Sequence, residues 1–171
     1  MSGMPASRVR PLLESDLQLV LGWRNHDSVR KYMYTQHEIS VEEHIAWFQR
    51  ASVDQSRHLL IYERDGQPTG YLHFHEIGKG GVAEWGCYVS PDALRGSGTD
   101  LGFRAVEHAF TVLKLHKLCG QALAYNQKSI DFQLRVGFSQ EGRLRDQHFD
   151  GQAYHDIICF GLTEDQWKSS N

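Results

Sequence analysis

The sequence contains no apolar run of about 18 residues, so it offers no helical membrane span. Its first ten residues lack the apolar core of a signal peptide, which makes the cytoplasm the default compartment. Neither sign of charge dominates. A formal net charge of −3 over 171 residues leaves no electrostatic footprint for nucleic acid. Cysteine is scarce: Cys87, Cys119 and Cys159 lie far apart, with no C-x-x-C among them. An odd, scattered set of thiols argues against a disulfide framework or a zinc site, and for buried packing in strands. There is no repeat, no low-complexity stretch and no interdomain linker, so residues 1–171 read as one domain with a sizeable core. Two phosphate-binding patterns are missing as well. No Gly-Lys-Ser/Thr follows a Walker spacing, and for G-x-G-x-x-G the third glycine, Gly102, falls one place late.

What the chain does have is a stretch from Ala83 to Lys114 around which the rest is organised. Ala83–Val89 is a run of aromatic and branched residues broken by Gly86, which predicts a strand with a bulge or kink there. Pro91 and Asp92 stop it, and Arg95-Gly96-Ser97-Gly98-Thr99 follows. Leu101, Ala105, Ala109 and Leu113 then recur every fourth residue, flanked by Val106 and Phe110, as on an amphipathic helix. A strand, a glycine turn and a helix start make an anion site. The first helical amides have no internal partner, the dipole is positive there, and glycine admits a phosphate close to the backbone. The same turn could merely join the strand to the helix.

The remaining elements are legible in order. Val9–Leu12 predicts a short strand. Ser15 or Asp16 is placed to cap a helix through Trp23. A short helical piece lies around Val29–Met33, and Ser40 with Glu43 forms a capping box for the next helix. His58–Glu63 and Thr69–Ile77 read as a hairpin turned at Asp65-Gly66. Leu115–Tyr125 is a fifth strand and Lys128–Val136 a helix closed by Gly137. Phe138–Gln147 and Ala153–Leu162 form a last hairpin around Asp150-Gly151. The fold class is therefore α/β, of the α+β mixed-sheet kind, with about seven strands and about four helices.

Two segments carry a resemblance. Arg95 to Asp100 resembles the R/Q-x-x-G-x-G/A turn of the GNAT acyltransferases, departing at Asp100. Asn126 to Phe138 resembles the family's second signature, N-x-x-A/S-I-x-L-Y-x-K-x-G-F, through Asn126, Ser129, Ile130, Arg135, Gly137 and Phe138. The order of elements is similar too, so the resemblance covers nearly the whole chain. In the N-terminal half, Trp23-Arg24-Asn25-His26, Val29 to Tyr34, Ile39-Ser40 and Glu43-His44 resemble a branch of the family. That branch acetylates the 4-amine of UDP-4-amino-4,6-dideoxy-N-acetyl-β-L-altrosamine in pseudaminic acid synthesis, the route to flagellin glycosylation. It is itself similar to the ribosomal-protein N-terminal acetyltransferases.

The resemblance implies an acetyl-CoA-dependent N-acetyltransferase with direct transfer and no metal. Its partner is a small molecule, a UDP-amino sugar, and a homodimer is allowed. The alternatives are a protein N-terminal acetyltransferase and a non-catalytic acyl-CoA binding module. Arg95, Gly96, Ser97, Gly98, Thr99, Asp100 and Leu101 would cradle the diphosphate. Tyr88 and Val89 would pair with the pantetheine arm where the central strand splays from the fifth, with Ser129 and Phe132 nearby. Asn126 either caps its helix, bonds that arm, or does both. Arg24, Arg30 and Lys31 are placed for the acceptor's diphosphate and Trp23, Tyr32, Met33 or Tyr34 for its base, with Asn25 and His44 beside them. Ordinary core aromatics with solvated charges are the alternative there.

For the chemistry, the Val89 amide is the expected oxyanion donor and Glu84 the base, unless Glu84 is a solvent-facing sheet carboxylate. Many of these enzymes carry a Tyr that protonates the leaving thiolate. Gln133 stands at that position here, so no dedicated acid is expected, and water, Tyr88 or Tyr125 would serve. His73 and His75 share a strand face, but no third metal ligand lies near in sequence. Cys87 is expected to be core packing rather than an acyl carrier.

Overall fold

The computed structural model describes residues 6–171. Residues 1–5, the first half of the segment read as lacking a leader, lie outside them. Seven strands form one sheet: β1 (Ser7–Pro11), β2 (Arg57–Arg64), β3 (Gln67–Glu76), β4 (Val82–Val89), β5 (Lys117–Leu123), β6 (Ser139–Phe149) and β7 (Tyr154–Thr163). Their order is β1-β2-β3-β4-β5-β7-β6. Only β4 and β5 pair in parallel; every other neighbouring pair is antiparallel. A parallel pair needs a crossover, and α4 (Ser97–Thr111) supplies it.

Two layers of helix cover the sheet. α4 and α5 (Gln127–Val136) lie on one face over Leu72, Phe74, Ala83, Trp85, Leu118 and Phe160. α1 (Leu17–Asn25), α2 (Asp27–Arg30) and α3 (Val41–Ala51) lie towards the other, where Leu17, Val20 and Trp23 close on Ile61 and Tyr71. α6 (Glu164–Ser169) ends the chain, capped by Thr163 and Gln166, and its Trp167 ring meets Phe110 at 5.4 Å. Among the described residues six α-helices stand where about four were expected: α2 is the short piece anticipated around Val29–Met33, and α6 is too short for apolar periodicity to announce it. Among the described residues no helix is long and apolar enough to cross a membrane.

Several local signals resolve as anticipated. Ser40 Oγ accepts from the Glu43 amide while Glu43 accepts from the Ser40 amide. Asp65 and Gly66 both take positive φ in the β2–β3 turn. Others do not. Neither Ser15 nor Asp16 caps α1 with its side chain. Asp16 instead accepts from the Leu13 amide at 2.8 Å and from both terminal nitrogens of Arg10, at 2.7 and 2.9 Å. That pairing holds its carboxyl below the usual range. Gly86 is not a bulge: β3 and β4 keep an unbroken register through His73↔Gly86. Glycine is needed there because a Cβ would stand 2.7 Å from the His73 ring.

Candidate active site

The site follows from one interruption in the sheet. β4 and β5 pair only at Val82, Ala83 and Glu84 and then part. The antiparallel ladders fix which backbone groups face the gap. Ile77 N–H donates to the Val82 carbonyl and Ser90 N–H to the Thr69 carbonyl, so even-numbered residues of β4 point their amides at β3. Cys87 and Val89 therefore direct their N–H and C=O into the gap. The amide of Tyr88 belongs to β3, and its ring packs 5.2 Å from Tyr71 on the helix α1 side. Of the two backbone partners expected for the arm, Val89 faces the gap and Tyr88 does not.

Beside Val89 the chain turns into α4. Gly96, the residue before the helix, has φ +89°, which L side chains rarely adopt. Ser97 is buried and accepts from Arg64 at 2.9 Å, and its amide is already given to Leu94. Gly98 and Thr99 have no backbone acceptor upstream, as expected of a first turn. Nothing lies within 4 Å of where a Gly98 Cβ would be, so no internal contact demands glycine there. A helical glycine that destabilises its helix without a packing reason fits a surface kept open for an anion. Arg95 is exposed beside it.

Asp100 and Leu101 are not part of this cradle. The Asp100 amide donates to Gly96, and its carboxylate accepts from the Tyr62 hydroxyl at 2.6 Å. Leu101 is the fifth residue of α4, so its amide bonds within the helix, and its side chain is wholly buried in the core. Gly102, the glycine out of step with a dinucleotide motif, lets α5 approach α4. A Cβ there would stand 2.6 Å from Val136 and 2.8 Å from Phe132. Phe132 is held in that contact and stacks on Trp85 at 5.9 Å. Asn126 caps α5, its Oδ1 accepting from the Ser129 amide at 3.2 Å. The Asn126 Oδ1 and the Ser129 amide are thus spent on each other at the helix start.

On the opposite sheet face, Glu84 is exposed and stands directly across from His75. His73 is two residues on, and burial pushes it down to about 4, so it is neutral at ordinary pH. Among the described residues no three His, Cys, Asp or Glu side chains gather to hold a metal ion. Burial pushes the Cys87 thiol up to about 12, which leaves no thiolate to carry an acyl group.

The loop from Lys31 to Ile39 crosses this face. Tyr34 donates to Gln121 Oε1 at 2.7 Å and its ring lies 5.1 Å from His148. Burial pushes its hydroxyl up to about 12. Tyr32 faces Tyr125 at 6.5 Å, and Tyr125 meets His155 edge-on at 4.9 Å. Gln121, Tyr125, His148 and His155 form this rim without any motif marking them. They come from β5, the turn after it and the β6–β7 hairpin, and topology alone assembles them.

The acceptor residues read from sequence divide into two groups. Trp23 is buried in the α1 core. Asn25 clamps the loop by exchanging two bonds with the backbone of Ile39, each 2.8 Å. His44 is buried and stacked on Trp47 at 5.2 Å, and burial lowers its pKa. These three build the scaffold, because each is drawn into a layer that covers apolar strand residues. Arg30 is paired with Asp27 at 2.8 Å and Glu38 at 3.9 Å, and Met33 is half-buried in the loop. Arg24 and Tyr34 remain at the mouth. Arg24 donates one nitrogen to the Thr35 carbonyl at 2.7 Å, while its Nη1 is buried without a partner. Burial lowers its pKa.

A family profile described as "Acetyltransferase (GNAT) domain" matches residues 8–139. A spermidine N(1)-acetyltransferase of Escherichia coli K12 is 29% identical over 166 residues, 96% of this chain and 89% of that protein. The acetyltransferase PseH of Campylobacter jejuni strain 81-176 is 29% identical over 119 residues, 70% of this chain and 74% of that protein. Among solved structures, a spermidine N-acetyltransferase from Vibrio cholerae in complex with CoA and spermine superposes with a TM-score of 0.86. It is 22% identical and covers 95% of this chain and 98% of that one.

Proposed function

Because this chain belongs to the GNAT acetyltransferase family and is an N-acetyltransferase, we propose that it moves an acetyl group from acetyl-CoA to the 4-amine of a UDP-linked amino sugar. The open turn at Gly96, Gly98 and Thr99 would receive the diphosphate, and Cys87 and Val89 would meet the pantetheine arm. Acetyl-CoA supplies a thioester activated for attack by an amine. The chain's own part is to hold the amine, take its proton and stabilise the developing oxyanion. Glu84, exposed on the sheet face beneath the loop, would take the proton directly or through water. The Val89 amide, aimed into the gap, would donate to the oxyanion. Gln133 has no proton to give at neutral pH. Tyr88 packs away from the gap, so water would protonate the thiolate.

The observation that carries the choice of acceptor is Arg24. Its guanidinium bonds the Thr35 carbonyl and is paired with no carboxylate among the described residues, so its charge is left for an anion such as the diphosphate of a sugar nucleotide. Four acids near the same rim are already engaged: Glu38 by Arg30, Glu43 by His37, Asp150 by His155 and Asp156 by Arg143. A polycation would have to displace those partners. The rings of Tyr32, Tyr34 and Tyr125 offer faces for a planar base.

A polyamine is the second acceptor class, favoured by the Escherichia coli relative that aligns along 96% of the chain. One assay separates the two. Purified protein with acetyl-CoA is offered UDP-4-amino-4,6-dideoxy-N-acetyl-β-L-altrosamine, spermidine, or a peptide with a free N-terminus. Turnover of the sugar nucleotide at least about tenfold above the others is expected, from the charge-assisted contacts only it can make. Faster turnover of spermidine would replace the proposal.

A further inference from the structure

Gln133 is 4% exposed, yet its position on α5 puts an amide, not an apolar group, into the core. Its Nε2 donates to the Gln121 carbonyl at 3.2 Å. Which edge of β5 that carbonyl faces can be read from the β5–β7 ladder. Glu164 N–H donates to His116 O, and Ala124 N–H to Asp156 O, so even-numbered residues of β5 face β7. Gln121 therefore faces β4. The parallel ladder ends one step earlier, at Glu84↔Cys119, and the next donor along β4 would be the Cys87 amide. Gln133 occupies the place that amide would take. Gly120 is cut to match: a Cβ there would stand 2.0 Å from Gln133 Oε1 and 2.9 Å from Trp85 Nε1. Oε1 itself is buried without a partner, a cost that packing alone would avoid with Leu or Met.

We propose that Gln133 is a positioning residue whose side-chain amide acts as a wedge. By satisfying Gln121 in place of β4, it stops the two strands from zipping together and keeps Cys87 and Val89 free for a ligand's amide-bearing arm. That this arm is the pantetheine of acetyl-CoA rests on the function proposed above; the wedge itself does not. With the wedge removed, Cys87 N–H gains Gln121 O as an acceptor and the gap narrows.

The test is Gln133→Met, which keeps length and loses the donor. Residue-resolved hydrogen exchange on the ligand-free protein reads the strands directly. The Cys87 amide is expected to exchange at least about tenfold more slowly in the variant. Acetyl-CoA affinity by calorimetry is expected to fall about tenfold or more. Unchanged exchange at Cys87 in a folded variant would overturn the wedge, whatever happens to affinity. Slowed exchange with undiminished affinity would uphold the wedge and place the cofactor arm elsewhere. Should Gln133→Met not fold, Gln133→Glu carries the test. An ionised carboxylate cannot donate to Gln121, and a protonated one can. Its acetyl-CoA affinity relative to the parent should then recover as pH falls from 8 to 5, and a pH-independent ratio would overturn the proposal.

Discussion

His73 gives the sharpest physical test of the sheet face that carries Glu84. The ring lies in the place that Gly86 leaves empty, beside Tyr71 at 5.8 Å. Burial, then Arg57 and His75, pushes its pKa from 6.5 to about 4. In the unfolded chain the same imidazole returns to its ordinary value, so below that value the unfolded state binds the extra proton. Stability from this group is complete above about pH 6.5 and is lost as pH falls towards 4. Between pH 7.5 and pH 4.5 the linked loss amounts to about 2–3 kcal/mol for one histidine shifted this far. Carboxylates held low, such as Asp150 at about 2, weaken the fold in the same direction at lower pH. Their share cancels when the parent is compared with His73→Phe at both pH values by denaturant unfolding. The variant's packing cost cancels too, because it is present at both. The parent should lose about 2–3 kcal/mol more than the variant over that range. Equal losses would mean that the ring is hydrated and charged in the folded protein, and that the face is wetter than its geometry indicates.

Gly98→Trp should abolish acetyl-CoA binding by calorimetry while circular dichroism stays unchanged, since nothing of the chain's own lies within 4 Å of where the new Cβ would stand. Glu84→Gln should cut turnover by about 10²-fold, the scale of general base catalysis, with acetyl-CoA affinity kept. Arg24→Ala should raise the Michaelis constant for the sugar nucleotide about tenfold or more and leave that for acetyl-CoA nearly alone. Equal effects on both would show that its bond to Thr35 matters only for folding. Gly102→Ala should destabilise the protein by about 1–3 kcal/mol in thermal unfolding, because its Cβ would meet Val136 at 2.6 Å and part α5 from α4.

What the sequence determined by itself was whatever depends on neighbours along the chain. The Ser40–Glu43 box, the Asp65-Gly66 turn, the Asn126 cap and the helix start after Gly96 are each closed within a few residues. The period of Leu101, Ala105 and Ala109 marked a buried helix face wherever that helix came to rest. With the glycine turn and the Asn126 segment in order, family and fold class were legible before any coordinate. Side-chain direction was not. Asp100 stands in the motif, yet it turns to Tyr62, 38 positions away. Asn25 and His44 look like ligand residues beside Trp23, but folding spends one on Ile39 and the other on Trp47. Tyr34 reaches Gln121 across 87 residues to build the rim of the site. Gln133 reads in sequence as the absence of a tyrosine, and only the register of β4 and β5 shows which carbonyl it serves. Hydrogen-bond partners remote in sequence are chosen by strand order and register. No local pattern encodes those, and only the assembled sheet decides them.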